Sequence, residues 1–530
     1  MLNKLKGKPL FADRDELKKL AKKLGMEVLE SINPSTIPQA LIEKVPYTFV
    51  KRYRILPIGE KEGKVIVVSS DPLNLAPLEN LRLMLDKEVN AYFSYDETIQ
   101  SAIDACYTRN GETTKFIADL SSLRKKEGKE GDLESYDLLE NENEAPIIRL
   151  LNLILSEAIS QGASDIHFEP SADDLKVRYR IDGVLVTRHT PEKEHQGKIL
   201  TRIKVMAKLD IAEHRLPQDG RIKLKMGGRE IDFRVSTLPT AHGERIVLRI
   251  LNRENVELGI EKLGMLPKTL DEFKKLIHHP EGMILVTGPT GSGKTTSLYS
   301  ALSEINSEEI NIVTIEDPVE YKIKGIAQIA VYPKIGLSFA SGLRHILRQD
   351  PDVVMIGEIR DNETAEIACQ ASLTGHLVLS TLHTNDAPSA LPRLIDMGIE
   401  PYLLSSTVIG VLAQRLVRTI CPNCREGYIA TKEELAEVGL TKSDLNGKKV
   451  YRGRGCHKCY NSGYQGRHGI YELLTITPAL QSLITQRVDS NHLREAAIKE
   501  GMTTLCTHGQ HLIRSGMTTI KEVLRLTRRR

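Results

Sequence analysis

Residues Met283 to Thr295 read MILVTGPTGSGKT, an apolar run that opens at Gly288 into the eight-residue stretch GPTGSGKT. A buried strand feeding a glycine-rich turn, with a helix starting near Gly293, turns backbone N–H groups toward phosphate oxygens at the positive end of a helix dipole. Gly288, Pro289, Thr290, Gly291, Ser292, Gly293, Lys294 and Thr295 are therefore the expected cradle for ATP. Lys294 is expected to reach the β- and γ-phosphates, and the Thr295 hydroxyl to take Mg²⁺. A side chain at Gly291 or Gly293 would hold the backbone away from the phosphates. Before anything else, the chain is expected to bind a nucleoside triphosphate.

Working outward, strands alternate with helices from about residue 282. Met283–Thr287, Ile310–Ile315, Val353–Ile356 and Leu377–Thr381 are short apolar runs suited to central strands of a mostly parallel sheet. Three of them end in groups of chemical interest. Asp352 to Glu358 is an apolar strand closing on a carboxylate, but Gly357 stands where many such strands carry Asp. Glu358 is left either to polarise the attacking water or to hold Mg²⁺ through water. The turn Glu316-Asp317-Pro318-Val319-Glu320 sets carboxylates at the same sheet edge, so Glu316 or Glu320 is a second candidate for those tasks. The strand from Leu377 presents His383 at its far end, where it is placed to hydrogen-bond the γ-phosphate.

At 530 residues the chain exceeds one core, and its bulk composition is that of an ordinary globular protein, 40% hydrophobic and 27% charged. A net charge of +3, 5% aromatic residues and no tryptophan argue against a DNA motor and against any nucleic-acid partner. An ATP-binding scaffold without hydrolysis is the other class to separate. No apolar run nears the roughly 18 residues that span a bilayer, which leads us to expect a cytoplasmic protein.

Residues 1–107 read as a small α/β unit with helices at Asp13–Leu20 and Ser35–Ile42 and a strand at Lys64–Val68. Residues 108–144 are a charged linker. Residues 145–255 form an α+β domain opened by a helix from Pro146 with an Ile147, Leu150, Leu151, Ile154 stripe. A linker at 256–281 precedes the nucleotide core at 282–418, and a C-terminal helical region covers 473–530, with Arg528 to Arg530 a frayed end. Between the last two, residues 419–472 carry Cys421-Pro-Asn-Cys424 and Cys456-His-Lys-Cys459. Two such pairs supply four thiolates for a structural Zn²⁺, and the loop between them is expected to hold a short helix near Lys432–Val438. His457 is not assigned to the metal. Cys106, Cys369 and Cys506 read as small buried hydrophobes.

In strand Ile231–Val235, alternation sets Ile231, Phe233 and Val235 on one face and Arg234 on the other; in Ile246–Ile250, Arg249 opposes the apolar face in the same way. Both arginines are available outside the core.

The phosphate loop, the IEDPVE turn, the Glu358 strand and the His383 strand, in this order, resemble the secretion ATPase superfamily. The stretch IGLSFASGLRHILRQDPDVVMIGEIRDNETAEIACQASLTGHLVLSTLHTNDA, Ile335 to Ala387, is similar to the type II secretion and type IV pilus assembly ATPases. Leu216–Arg221, Ala241–Arg245 and Val45–Ile58 look more like the type II secretion members, with pilus extension as the alternative. The resemblance implies a RecA-like core, a preceding α+β (PAS-like) domain, a small N-terminal α/β domain and a four-cysteine zinc insertion. It implies a homo-hexamer in which Arg234 and Arg249, with Arg344, Arg348 and Arg360, complete the nucleotide site. It further implies an N-terminal dock for the bitopic inner-membrane component of the secretion system, a polytopic platform protein as second partner, and a place on the cytoplasmic face of the inner membrane.

Overall fold

The computed structural model describes residues 18–107, 146–251 and 259–527, except 19–20, 22, 43, 46–48, 51–52, 62, 227–228 and 446. The expected helix at 13–20, the linker at 108–144 and the Arg528–Arg530 end lie essentially outside the described residues. The chain divides into two compact units, residues 1–252 and 253–530.

The first unit holds two sheets. Strands β1 (Ile55–Lys61), β2 (Lys64–Ser69) and β3 (Val89–Phe93) form a three-stranded sheet, antiparallel then parallel. Helices α1 (Ala76–Leu85) and α2 (Asp96–Tyr107) flank β3 in sequence and help enclose a core of Val65, Val67, Leu81, Ile99 and Ile103. Pro38 splits the helix expected at Ser35–Ile42, leaving a 3-10 turn at Pro34–Thr36 and a single turn at Gln39–Ile42, because the residue before a proline is driven out of the helical region.

The second sheet of this unit has the order β6-β5-β4-β9-β8-β7 and is antiparallel throughout. Its strands are β4 (Ala163–Pro170), β5 (Leu175–Ile181), β6 (Val184–His189), β7 (Gln218–Met226), β8 (Arg229–Thr240) and β9 (Gly243–Leu251). Helices α3 (Pro146–Ser160) and α4 (Lys193–Met206) supply Leu150, Leu151, Ile154, Ile199 and Ile203 to one core with Ile231, Phe233, Val235, Ile246 and Leu248. The alternation expected of β8 and β9 is therefore observed, with Ile147 and Ile250 partly buried at its margin.

The second unit is built on a seven-stranded sheet in the order β12-β11-β13-β14-β10-β15-β18. Its ranges are β10 (Gly282–Thr287), β11 (Ile312–Glu316), β12 (Ala327–Ala330), β13 (Val353–Ile356), β14 (Leu377–Leu382), β15 (Val408–Ile420) and β18 (Tyr464–Thr475). All pair in parallel except β18, which runs antiparallel to β15. Along β10, Met283 and Leu285 enter one core while Ile284 and Val286 enter the other, so both faces of the strand are covered and the run reads as continuously apolar. Helix α5 (Pro267–Ile277) and a 3-10 turn at Ile260–Leu263 occupy much of the stretch expected to be a linker, and they bury Ile260, Phe273 and Ile277 against the sheet. Helices α6 (Lys294–Ile305), α7 (Phe339–Ile346), α8 (Asn362–Leu373), α9 (Ala390–Asp396) and α10 (Pro401–Thr407) connect the strands. The insertion carries a hairpin, β16 (Arg425–Tyr428) and β17 (Val450–Gly453), and helix α11 (Lys432–Glu437), which starts at a Thr431/Glu434 capping box as the sequence suggests. Helices α12 (Pro478–Thr485), α13 (Ser490–Lys499), α14 (Leu505–Arg514) and α15 (Ile520–Thr527) complete the unit.

One buried histidine makes this unit pH-sensitive. His508 of α14 is 1% exposed, and its Nδ1 accepts the Tyr471 N–H at 3.0 Å. Burial lowers its proton affinity from 6.5 to about 4. The unfolded chain then binds the proton more readily than the native one, so stability is full above pH 6.5 and falls as pH drops toward 4. The loss approaches about 3 kcal/mol for a shift of this size. Thermal melts of wild type and His508→Gln between pH 4 and 7 are expected to show a weaker pH dependence in the variant.

Candidate active site

Four strands of the second unit end at one sheet edge, and each delivers part of the site. The loop Gly288–Thr295 leaves β10, Glu316 closes β11, Glu358 follows β13, and His383 follows β14. Two loop glycines have geometric reasons to be glycine. Gly293 caps α6 with φ 90°, a left-handed conformation. A Cβ on Gly288 would stand 2.5 Å from Ser292 Oγ and 2.7 Å from the Gln414 carbonyl. Pro289, Thr290, Gly291 and Thr295 are exposed, while Ser292 is buried. Lys294 Nζ donates to the Gly288 carbonyl at 2.8 Å and to that of Pro289 at 3.3 Å. Burial holds its proton affinity below the usual lysine value, Glu358 pulling it back up and Arg415 pushing it further down. The loop lysine and Glu358 therefore sense one another.

Glu358 is gripped from two sides: Arg360 Nη2 donates to one carboxylate oxygen, and His383 Nε2 lies 3.4 Å from the other. Burial pushes this carboxyl up, but the combined pull of Arg360 and His383 leaves it below the ordinary glutamate value. It is therefore an anion at neutral pH, able to accept a proton or orient a water. Gly357 has a steric reason to replace the Asp of related strands, since a Cβ there would lie 3.3 Å from Glu316 Cα and from the Ile315 carbonyl.

The acidic turn is arranged differently from Glu358. The Glu316 carboxylate is 3% exposed and fully engaged, accepting from Tyr299 Oη, from Thr314 Oγ1 at 2.6 Å and from Gln328 Nε2 at 3.1 Å. Its partners tie the end of β11 to α6 and β12, a bracing role. Tyr299 is held protonated by burial and by this carboxylate. Glu320 is exposed, with its N–H 3.4 Å from Tyr299 Oη.

The expected arginines are distributed over the surface. Arg344 pairs with Glu363 at 2.7 Å, and Arg348 donates to the Arg344 carbonyl at 2.7 Å, both outside the loop. Of Arg344, Arg348 and Arg360, it is Arg360 that contacts Glu358. In the first unit, Arg234 and Arg249 are cross-strand partners on β8 and β9. They line a groove of about 520 Å³ with Asp219, Arg221, Ser236 and Val247, and Arg249 Nε donates to Asp165 at 3.0 Å.

Two residues on β15 escaped the sequence reading. Gln414 Nε2 donates to the Ser292 carbonyl at 2.7 Å, and the buried Arg415 guanidinium bonds the Asn385 carbonyl at 2.6 Å. The available signal was a polar pair interrupting the apolar run Val408-Ile-Gly-Val-Leu-Ala-Gln-Arg-Leu-Val.

The four cysteines Cys421, Cys424, Cys456 and Cys459 converge with all sulfurs within 4.8 Å. Cys421 and Cys456 are 3.8 Å apart, as are Cys424 and Cys459, and Cys456 and Cys459 are 3.7 Å apart. These separations far exceed a disulfide bond. They match the edge of about 3.8 Å for thiolates placed about 2.3 Å from a tetrahedral zinc. The N–H groups of Cys456 and Gly463 donate to Cys459 Sγ at 3.2 and 3.3 Å, as a thiolate requires. The donor set thus fits a metal ion. His457 is not in the cluster. Of the remaining cysteines, Cys106 and Cys369 are buried and Cys506 partly so.

No helix among the described residues is long and apolar enough to cross a membrane. The family model "Type II/IV secretion system protein" matches residues 140–525, and an MshEN domain model matches 24–113. Type II secretion system ATPase E of Vibrio cholerae is 45% identical over 496 residues, 92% of this chain and 97% of that one. Type II secretion system protein E of Dickeya dadantii is 47% identical over 91% and 97% of the two chains. The type IV pilus assembly ATPase PilB of Myxococcus xanthus is 42% identical over 95% and 89%. The X-ray structure of the Yersinia pseudotuberculosis ATPase DotB, 21% identical, superposes with a TM-score of 0.53 over 76% of this chain and 99% of that one, a likeness of fold. A phosphate loop and a glutamate at one sheet edge, a cluster of four thiols and these relatives converge: the chain belongs to the type II/IV secretion system protein family and is an ATPase of its type II secretion kind.

Proposed function

We propose that the chain is the hexameric motor of a type II secretion system, hydrolysing ATP at the cytoplasmic face of the inner membrane to drive pseudopilus assembly and protein export. The observation that carries this reading is the placement of Lys294 and the Glu358–Arg360–His383 cluster at one sheet edge, in a chain 45% identical to a type II secretion ATPase over 92% of its length. Lys294 leaves its loop carbonyls for the β/γ-phosphates, and the backbone amides of Gly291 to Thr295 cradle the anion. The Thr295 hydroxyl would hold Mg²⁺, which supplies charge neutralisation on the phosphates. Glu358 takes or steers the proton of the attacking water, while His383, 3.4 Å from its carboxylate, is positioned to respond when the γ-phosphate leaves. Glu316 and Glu320 remain candidates for orienting water, though the bracing network leaves Glu316 the weaker one.

Arg234 and Arg249 are proposed to neutralise charge on the transferring phosphoryl group, with Arg344, Arg348 and Arg360 serving the same nucleotide or a neighbouring subunit. The four cysteines are proposed to hold a structural zinc. The N-terminal domain is proposed to dock the bitopic inner-membrane component, with the polytopic platform protein as second contact. Closure around ATP and opening after phosphate release would then become domain motion.

The similarity to PilB favours pilus extension as the second reading. Turnover of the full chain, measured with and without the cytoplasmic domain of the bitopic component, separates the two. Stimulation is expected for the secretion motor, and no effect favours the pilus. In the same assay Arg249→Ala is expected to lower turnover by about 10²-fold, the size seen when one charge-stabilising donor is removed. Undiminished turnover removes that arginine from the site.

A further inference from the structure

Arg415 is a buried cation with no direct ion pair among the described residues; burial works against its charge, and Asp386 and Glu472 favour it only from beyond ion-pairing distance. It is 5% exposed, and its guanidinium meets only carbonyl oxygens: Nη1 donates to Gln414 O at 3.0 Å, and Nη2 to Asn385 O at 2.6 Å and Asn385 Oδ1 at 3.3 Å. The neighbouring carboxylates are committed elsewhere. Asp386 pairs with Arg494, and Glu472 accepts the N–H groups of Ala387 and Leu505 at 3.0 and 3.2 Å. Taking a charge out of water without pairing it is costly, and folds seldom tolerate it unless something compensates.

The compensation is suggested by what lies above it. β15 pairs with β10 through Thr287 and Ala413, which sets Arg415 just past the end of β10, beside the loop. A Cβ on Gly288 would stand 3.1 Å from Arg415 Nη1. Lys294 reaches the carbonyl of that same Gly288, so two cations flank one loop residue. Burial lowers the proton affinity of Lys294, and the nearby Arg415 charge lowers it further. A polyphosphate seated in the loop relieves both. The far side of the guanidinium holds Asn385, two residues beyond His383, in a segment also tied to the loop strand by Thr287 Oγ1 and Thr384 Oγ1 at 2.7 Å.

We propose that Arg415 is a positioning residue beneath the phosphate loop, whose unpaired charge strengthens polyphosphate binding while its fork fixes the segment after His383 to the end of β15 beside the loop. This rests on the loop's holding ATP, as the preceding section has it. Its contribution is electrostatic through the loop, so charge matters more than shape. The test is calorimetric titration of the full chain with Mg·ADP, comparing wild type, Arg415→Gln and Arg415→Lys. The glutamine keeps a hydrogen-bond donor and loses the charge; the lysine keeps the charge and loses the fork. The glutamine variant is expected to bind at least tenfold more weakly than wild type, and the lysine variant within threefold of it, with KM for ATP following the same order. A gap of less than tenfold for glutamine, a lysine variant weaker than threefold, or failure of both to fold overturns the proposal. Wild type that does not bind Mg·ADP would instead sink the nucleotide site itself.

Discussion

Glutamine in place of Glu358 is expected to leave nucleotide bound and to lower turnover by about 10²–10⁴-fold, the span for removing a general base. The substitution preserves size and a hydrogen-bond acceptor for Arg360 and His383, so the sheet edge keeps its geometry. What it removes is the negative charge. In the native protein burial alone would discourage that charge, and the Arg360 and His383 contacts outweigh it. The carboxylate thus stays ionised down to the acid side of the ordinary glutamate range, and its titration does not limit turnover near neutral pH. A variant with full activity transfers the task to Glu320 or Glu316. Phosphate release under single-turnover conditions, with ATP affinity measured beside it, reads this out directly.

The second large effect is expected at the thiol cluster. Cys424→Ser is expected to lower zinc content from one equivalent to below about half, because a structural site built on four thiolates loses most of its affinity with one of them. The cluster joins β15 to the insertion: Cys421 follows β15 immediately, and the Cys421 N–H donates to the Gly463 carbonyl just before β18. The hydrophobic core of the insertion, including Leu435, Val438 and Val450, packs with Leu512, Ile513 and Val523 of α14 and α15. Loss of the metal is therefore expected to loosen the insertion and C-terminal helices and lower their melting by about 10 °C or more. The two cores that sandwich the ATPase sheet contain none of these cysteines, so far-UV circular dichroism is expected to keep its main signal. Unchanged zinc content and melting in the variant would mean that the four sulfurs are not a metal site.

The nucleotide edge was legible because its parts are local. β10, β13 and β14 are short runs buried on both faces, and each ends in a chemically marked residue, so a window of a dozen positions contains strand, turn and function. The convergence of the cysteine pairs was legible for a related reason, since ligand type and spacing specify a tetrahedron without knowledge of the intervening fold. β15 was not readable in the same way. It runs 13 residues, and its antiparallel partner β18 lies more than forty residues further on, across the insertion, so no local periodicity reports the pairing. α5 hides in a stretch whose apolar positions are few, and it became visible only through what Phe273 and Ile277 pack against. The acidic turn shows the opposite failure. Glu316 carries the right residue type at the right sheet edge, yet Tyr299 and Gln328, distant in sequence, claim its oxygens. Side-chain partnership across 12 to 17 residues is a tertiary fact, and composition carries no trace of it.

Calorimetric titration of the folded full-length chain with Mg·ATP is the most direct test of a phosphate loop built from Gly288–Thr295. The expected result is a saturable heat approaching one nucleotide per chain. Absence of any binding heat from well-folded protein would contradict the ATP-driven motor.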